Sequence, residues 1–249
     1  MKLYSLIYLN EAARSASEAL DKGIAVLGIQ VDAASPFRIA LFSKERARQA
    51  IENKKDLNLG RRAIVGTVSY MPQARERNLF RVTTSAGVNK FGPLAYQIAM
   101  YAIRSYWLRS DSNLTEGEGS SSKVWNQMYA RPETYERKWL GDFNTGLSIL
   151  SYALKATDLG HNVFRGYDLN EFTKTESEVE KYLQEKNHSM AEFGHLYAYR
   201  LIQVDPDIQK LFDSGEAFLD EMESRGYDAS EIYKSMNFGI SGFFARRYK

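Results

Sequence analysis

Six consecutive residues, Asn89, Lys90, Phe91, Gly92, Pro93 and Leu94, pose the first chemical question. They follow a β-rich run, "LFRVTTSAGV", and open an amphipathic stretch, "PLAYQIAMYAI". A strand delivered through a glycine turn onto a helix leaves unpartnered N–H groups at the positive end of the helix dipole. Such an end binds anions, phosphate among them. Lys90 adds a cation, and Pro93 suits the first helical position, where its missing N–H costs nothing. The same pattern also serves simply to turn a corner, and both readings stand on these residues alone. A P-loop needs two spaced glycines and a Lys-Ser/Thr pair, and a dinucleotide fingerprint needs three glycines; Gly87 and Gly92 satisfy neither.

Other reactive groupings are thinner. The histidines are His161, His188 and His195. Glu192 and His195 form one Glu-x-x-His pair, where a di-iron bundle uses two, so the pair reads as surface or capping and no metal is expected. No Gly-x-Ser-x-Gly elbow presents a nucleophilic serine. Zero cysteines exclude disulfides, thiolate metal sites and cysteine nucleophiles, and fit a reducing compartment. The C-terminal "SGFFARRYK" interleaves Phe243, Phe244 and Tyr248 with Arg246, Arg247 and Lys249. It could stack on bases and grip phosphates, or pack its aromatics onto the domain or a neighbouring subunit.

The elements that must position these residues follow from composition and pattern. With 249 residues, 44% hydrophobic and 26% charged, the chain has ordinary globular composition and ample capacity for a core. No apolar run reaches a membrane span, and "MKLYSLIYLNEAARSASEAL" lacks a cleavage site, so neither a membrane partner nor a signal peptide is expected. Residues 1–112 hold 17 Lys+Arg against 9 Asp+Glu, a net of +8, and the remainder 16 against 22, a net of −6. The excess is densest over residues 38–109, which could attract a phosphorylated ligand, a nucleic acid or an acidic partner, or simply form a solvated face. Sixteen tyrosines and thirteen phenylalanines fit a protein with large contacts, to a partner or to itself.

"EAARSASEALDKG" predicts a helix stopped by Gly23, and "IAVLGIQVD" and "FRIALFS" predict strands. "SKERARQAIENKK" predicts a helix capped by Ser43. "RAIVGTVSYMP" and "NLFRVTTSAGV" predict a hairpin; residues 79–88 are expected as a strand and 93–105 as a helix with its N-terminus at a cleft. "WLRSDS" then predicts a short strand and "KVWNQMYAR" a short helix stopped near Pro132. Residues 175–225 are expected to be mainly helical, with Thr173 or Thr175 as cap and Gly226 as stop. Their inward side chains should be Phe193, Leu196, Leu201, Leu211 and Phe218.

This order of elements resembles the GNAT-type N-acetyltransferase fold over about residues 15–170. The resemblance implies a central strand that splays from its neighbour and a following loop that holds the coenzyme A pyrophosphate. The family's loop reads Gln/Arg-x-x-Gly-x-Gly/Ala; here Asn89, Lys90, Phe91, Gly92, Pro93 and Leu94 occupy it, and only the first glycine is kept. It also implies a tyrosine, on the helix after the next strand, that protonates the leaving thiolate. Trp125 falls at that place and Tyr129 lies one turn later, which makes Tyr129 the candidate acid. A narrower set looks like a family of tailed-bacteriophage proteins, some described as acetyltransferase-like and some as virion proteins. It comprises Gly92, Pro93, Leu94 and Tyr96, then Ser110 and Asp111, then Val124, Trp125, Tyr129 and Arg131.

The expected architecture is therefore α/β (α+β): a GNAT-like mixed sheet flanked by helices over residues 1–170, and a mainly helical extension over 171–249 packed on it. Two functions follow from the resemblance. One is acyl transfer from acetyl-CoA, with residues 89–94 as cofactor cradle and Tyr129 as acid. The other is a non-enzymatic phage protein, in the virion or at a target in the host bacterial cytoplasm, that acts through protein contacts or self-assembly.

Overall fold

Ser15 starts the first helix, α1 (Ala16–Asp21), with a reciprocal capping box: its hydroxyl accepts from the Glu18 N–H, and the Glu18 carboxylate accepts from the Ser15 N–H. Gly23, at φ 66, ends that turn in the left-handed region that glycine enters freely. The computed structural model describes residues 14–29, 36–53, 60, 62–73, 76–110, 120–140, 175–185, 187 and 189–235.

Beyond α1 come β1 (Ile24–Ile29), β2 (Phe37–Ser43) and α2 (Lys44–Glu52), the last capped by the Ser43 hydroxyl as expected. The hairpin β3 (Ile64–Gln73) and β4 (Glu76–Gly87) leads to α3 (Gly92–Ile103), β5 (Trp107–Arg109) and α4 (Ser120–Tyr129). Next are β6 (Tyr135–Trp139), α5 (Glu176–Glu185), a 3-10 segment (Met190–Leu196) and β7 (Tyr197–Leu201). The chain then forms α6 (Pro206–Ser224) and α7 (Ala229–Ser235). The seven strands make one mixed sheet in the order β1-β2-β3-β4-β5-β7-β6. Among the described residues only β4 and β5 run parallel.

Each face of the sheet carries its own core. Leu41 and Phe42 are neighbours on β2 and so point to opposite faces. Leu41 joins a cluster with Val68, Leu94, Ile98 and Trp125, whereas Phe42 joins Ile51, Phe218, Met222, Ile232 and Tyr233. The second cluster is closed by α6, which meets β1 at very short range. A Cβ built on Gly215 would stand 1.9 Å from the Val26 carbonyl oxygen, so only glycine fits there. That contact helps bury all of β1, although β1 is an edge strand.

The mixed α/β sheet flanked by helices is the expected class. One part of the C-terminal reading is corrected. "YAYRL", expected within a helix, is β7, inserted between β5 and β6 with Leu108 opposite Tyr199 and Tyr135 opposite Leu201. The sheet thus runs across the expected boundary at residue 170. The helical remainder is present as α5, α6 and α7, and Leu196, Leu211 and Phe218 are buried while Leu201 packs at the core's margin. The side chain of Phe193 lies outside the described residues, as do Thr173, His161, His188, Asp111 and the segment 241–249.

Candidate functional site

The β4–α3 connection is a tight mirror-image turn. Phe91 N–H donates to the Val88 carbonyl at 3.1 Å, and the two central residues, Asn89 and Lys90, have φ of 52 and 70. Asparagine tolerates this left-handed region; lysine is held there at a cost of about 1–2 kcal/mol. Val88 N–H reaches across to the Val65 carbonyl at 2.9 Å and ties the turn to β3. Phe91 turns inward and is only 3% exposed, in the same cluster as Leu94 and Ala95. It pins the turn from below, against Gly66 of β3.

Two glycines at this corner do different work. A Cβ on Gly87 would stand 2.6 Å from both Cα and N of Gly92, so the end of β4 and the start of α3 touch backbone to backbone. A Cβ on Gly92 itself would meet nothing within 4 Å. Gly92 is therefore an open position at the mouth of the helix, whereas Gly87 is the packed one.

Helix α3 begins without a cap. Phe91, its N-cap residue, has a hydrocarbon side chain, and among the described residues no side-chain cap bond is made. The first helical bond runs from Ala95 N–H to the Phe91 carbonyl at 3.0 Å, so the N–H groups of Gly92 and Leu94 lie ahead of the ladder. Lys90 supplies a solvent-exposed cation beside them. The fold also sets the backbone of Arg14 against this turn, a contact that sequence reasoning missed. Its N–H donates to the Lys90 carbonyl at 3.4 Å and its guanidinium meets Glu18 at 3.2 Å. The Arg14 Nε–H is buried with no acceptor. Nothing in the local sequence around Arg14 signals this; only the docking of α1 beside the turn produces it.

From the turn, β4 leads back to its pairing with β5. Among the described residues β5 is three residues long and pairs throughout with Leu79, Phe80 and Arg81, and β4 continues to Gly87. On this stretch the Tyr96 hydroxyl of α3 meets the Ser85 hydroxyl at 2.8 Å. The Tyr96 ring stands edge-on to Trp125 of α4, with centroids 5.1 Å apart, and Trp125 packs on Tyr199 of β7 at 5.7 Å. Tyr135 adds an edge contact to Tyr199 and accepts from the Gln97 amide at 2.8 Å. α3, α4 and the sheet are thus joined by aromatic rings.

These phenols keep their protons. Burial pushes Tyr96, Tyr135, Tyr197 and Tyr199 up from the ordinary tyrosine value, and a hydrogen bond to Glu176 adds to the effect at Tyr197. At neutral pH they are hydrogen-bond donors and not bases. His195 goes the other way: burial lowers it to about 4, so its imidazole is neutral at pH 7. The Ser110 hydroxyl donates to the His195 carbonyl at 3.1 Å and anchors β5 to the segment ahead of β7.

Asn89, Lys90, Phe91, Gly92, Pro93 and Leu94 form the turn and the first turn of α3, with Phe91 and Leu94 buried in the core. Tyr129 lies at the end of α4, with its ring 5.2 Å from Tyr197 and the Arg137 guanidinium 4.2 Å over it. Its ring contacts are to β6 and β7. Part of the basic excess is engaged within the fold. Arg48 makes a two-pronged pair with Glu221 of α6, Lys44 reaches Ser214 at 2.9 Å, and Arg38 donates to Ser69 at 3.0 Å. Among the described residues, no three His, Asp or Glu side chains gather as a metal site, and no helix is long and apolar enough to cross a membrane. No protein-family model matches the chain, and no curated protein and no solved structure matches it.

Proposed function

We propose that the protein is an acetyl-CoA-dependent acyltransferase-like protein of tailed-phage type, with the cofactor's pyrophosphate at the α3 N-terminus. The observation that carries the reading is the uncapped start of α3, which the chain reaches from β4 through the Asn89–Lys90 turn. The N–H groups of Gly92 and Leu94, with Lys90 beside them, offer donors and positive charge to phosphate. The strand order and the single parallel pair support the GNAT-like reading of the sheet. Lys90, held at φ 70, is the kind of strained residue that recurs at binding loops.

A second reading rests on a different observation. Trp125, with no exposed surface, stands where the resemblance puts the acid, and the ring contacts of Tyr129 are to Tyr197 and Arg137. An indole donates a hydrogen bond but supplies no proton to a thiolate. This favours a non-enzymatic phage protein, in the virion or in the host bacterial cytoplasm, that keeps the sheet and has lost the chemistry. Calorimetric titration with acetyl-CoA separates the two: heat of binding at up to millimolar ligand supports the first. A flat titration removes it and leaves the second.

A further inference from the structure

The sheet ends on β6, and the ladder to β7 fixes which backbone groups of β6 face outward. Ile202 N–H donates to the Thr134 carbonyl at 3.0 Å and Leu140 N–H to the Leu196 carbonyl at 3.3 Å, at the two ends of that register. In an antiparallel pair, residues bonded to the partner strand alternate with residues whose N–H and C=O point away from it. Glu136 and Lys138 therefore bond inward to β7, and Tyr135, Arg137 and Trp139 direct theirs to the outer edge. The Tyr135 N–H agrees, since it turns back to the Arg131 carbonyl at 3.0 Å. Neither main-chain group of Arg137 has a backbone partner among the described residues, and the side chains of Glu136, Arg137 and Lys138 are exposed. Such an edge is a template for another strand, and the charges along it select which one.

We infer that β6 is a docking edge for β6 of a second copy of this chain, antiparallel about a two-fold axis at Arg137. The inference is independent of the acyl-CoA reading. Outward groups bond only outward groups, which leaves three registers that pair three or more residues of β6 with its copy. Centring on Glu136 sets that carboxylate against its own copy, and centring on Lys138 sets two ammonium groups together; both repel. Centring on Arg137 pairs all five residues, with Tyr135 opposite Trp139 and Glu136 opposite Lys138, each twice. The Glu136–Lys138 pairs fall at non-hydrogen-bonded positions, where cross-strand side chains come closest. Glu136 already meets Arg200 of β7, so the lysine of the copy extends a row of alternating charge. The Arg137 pair at the axis is relieved because each guanidinium is drawn over its own Tyr129, at 4.2 Å, and Tyr197, at 5.5 Å. The charges on this edge thus reject its copy in two registers and accept it in one.

An edge of five residues is a small contact, so the dimer is weak and reversible, and the test is sedimentation equilibrium of the full chain up to about 100 µM. Wild type should associate to dimers, and 1 M salt should weaken them. Glu136→Lys and Lys138→Glu should each weaken self-association by about tenfold or more, because both attractions become repulsions. An equimolar mixture of the two variants should dimerise again, since every facing pair in the mixed dimer is then opposite in charge. The chain has no cysteine, so an introduced one gives a second readout. Only the axial residue meets its own copy, at about 5.5 Å between Cα atoms, within reach of a disulfide. Arg137→Cys should therefore cross-link on oxidation and Glu136→Cys should not. A wild type that stays monomeric over this range overturns the inference. So does a dimer unchanged in both charge variants, a mixture that fails to recover, or equal cross-linking at the two cysteine positions. Should a charge variant fail to fold, the wild-type dimer and the cysteine pair decide.

Discussion

Gly92→Glu separates ligand binding from folding better than any other change at the turn. The geometry predicts that the variant folds: a Cβ at Gly92 meets nothing within 4 Å, and its φ is not in the left-handed region. Replacing glycine inside a helix removes roughly 0.5–1 kcal/mol of entropic cost. A carboxylate in the first turn adds about 0.3–1 kcal/mol through the dipole. The variant should therefore melt at or slightly above wild type, by about 2–4 °C for each kcal/mol at this chain length. Acetyl-CoA at a hundredfold excess over its Kd stabilises wild type by about 2.7 kcal/mol. That corresponds to about 5–10 °C in a thermal-shift assay. In the variant the carboxylate stands at the helix mouth, takes the free N–H groups and repels phosphate, so the ligand shift should vanish. Gly87→Ala is the contrasting control, because its Cβ would press on the Gly92 backbone at 2.6 Å and should lower stability by about 1–3 kcal/mol. A Gly92→Glu protein that keeps the full acetyl-CoA shift would refute the placement of phosphate at α3. One that melts far below wild type would refute the open geometry of the turn.

Three further outcomes are expected. Gly215→Ala should destabilise by about 3 kcal/mol or more in chemical denaturation, because its Cβ would lie 1.9 Å from the Val26 carbonyl and α6 would have to lift from β1; a near-neutral result would contradict the contact. His195 carries a folded pKa of about 4, below the ordinary 6.5, so the unfolded chain binds the proton first as pH falls. Its contribution is full above about pH 6.5, declines between 6.5 and 4 by up to about 3 kcal/mol and then levels, and His195→Gln should flatten that segment of the stability–pH curve. Glu221→Gln breaks the pairing of α6 with Arg48 and Arg225 on the surface, and should cost no more than about 1 kcal/mol. That cost should shrink in 1 M salt, and a salt-independent loss would point to packing instead.

The elements that signal locally were legible in the chain. Ser15 and Ser43 cap, Gly23 and Gly226 stop, and "QARER" joins two strands of matched β character; each depends on residues within a few positions of itself. The start of α3 was legible for the same reason, since Gly92 and Pro93 announce a helix start wherever it is placed. β7 was not. "YAYRL" is buried on both faces over its first three residues and so lacks the alternation that betrays a strand. Its partners, Leu108 and Tyr135, come from distant parts of the chain. The charge asymmetry between the two halves was visible, but not its internal use: Glu221 of α6 pairs with Arg48 of α2, and Arg225, just past α6, pairs with Glu52 of α2 in the opposite sense. The sequence alone determined where helices and turns begin, because caps and glycine conformations are set by neighbouring residues. Only the tertiary structure decided that Arg14 docks its backbone on the turn before α3 and that the Trp125 indole is buried without an acceptor. Those depend on distant elements packing at fixed distance, and no local pattern records a distance.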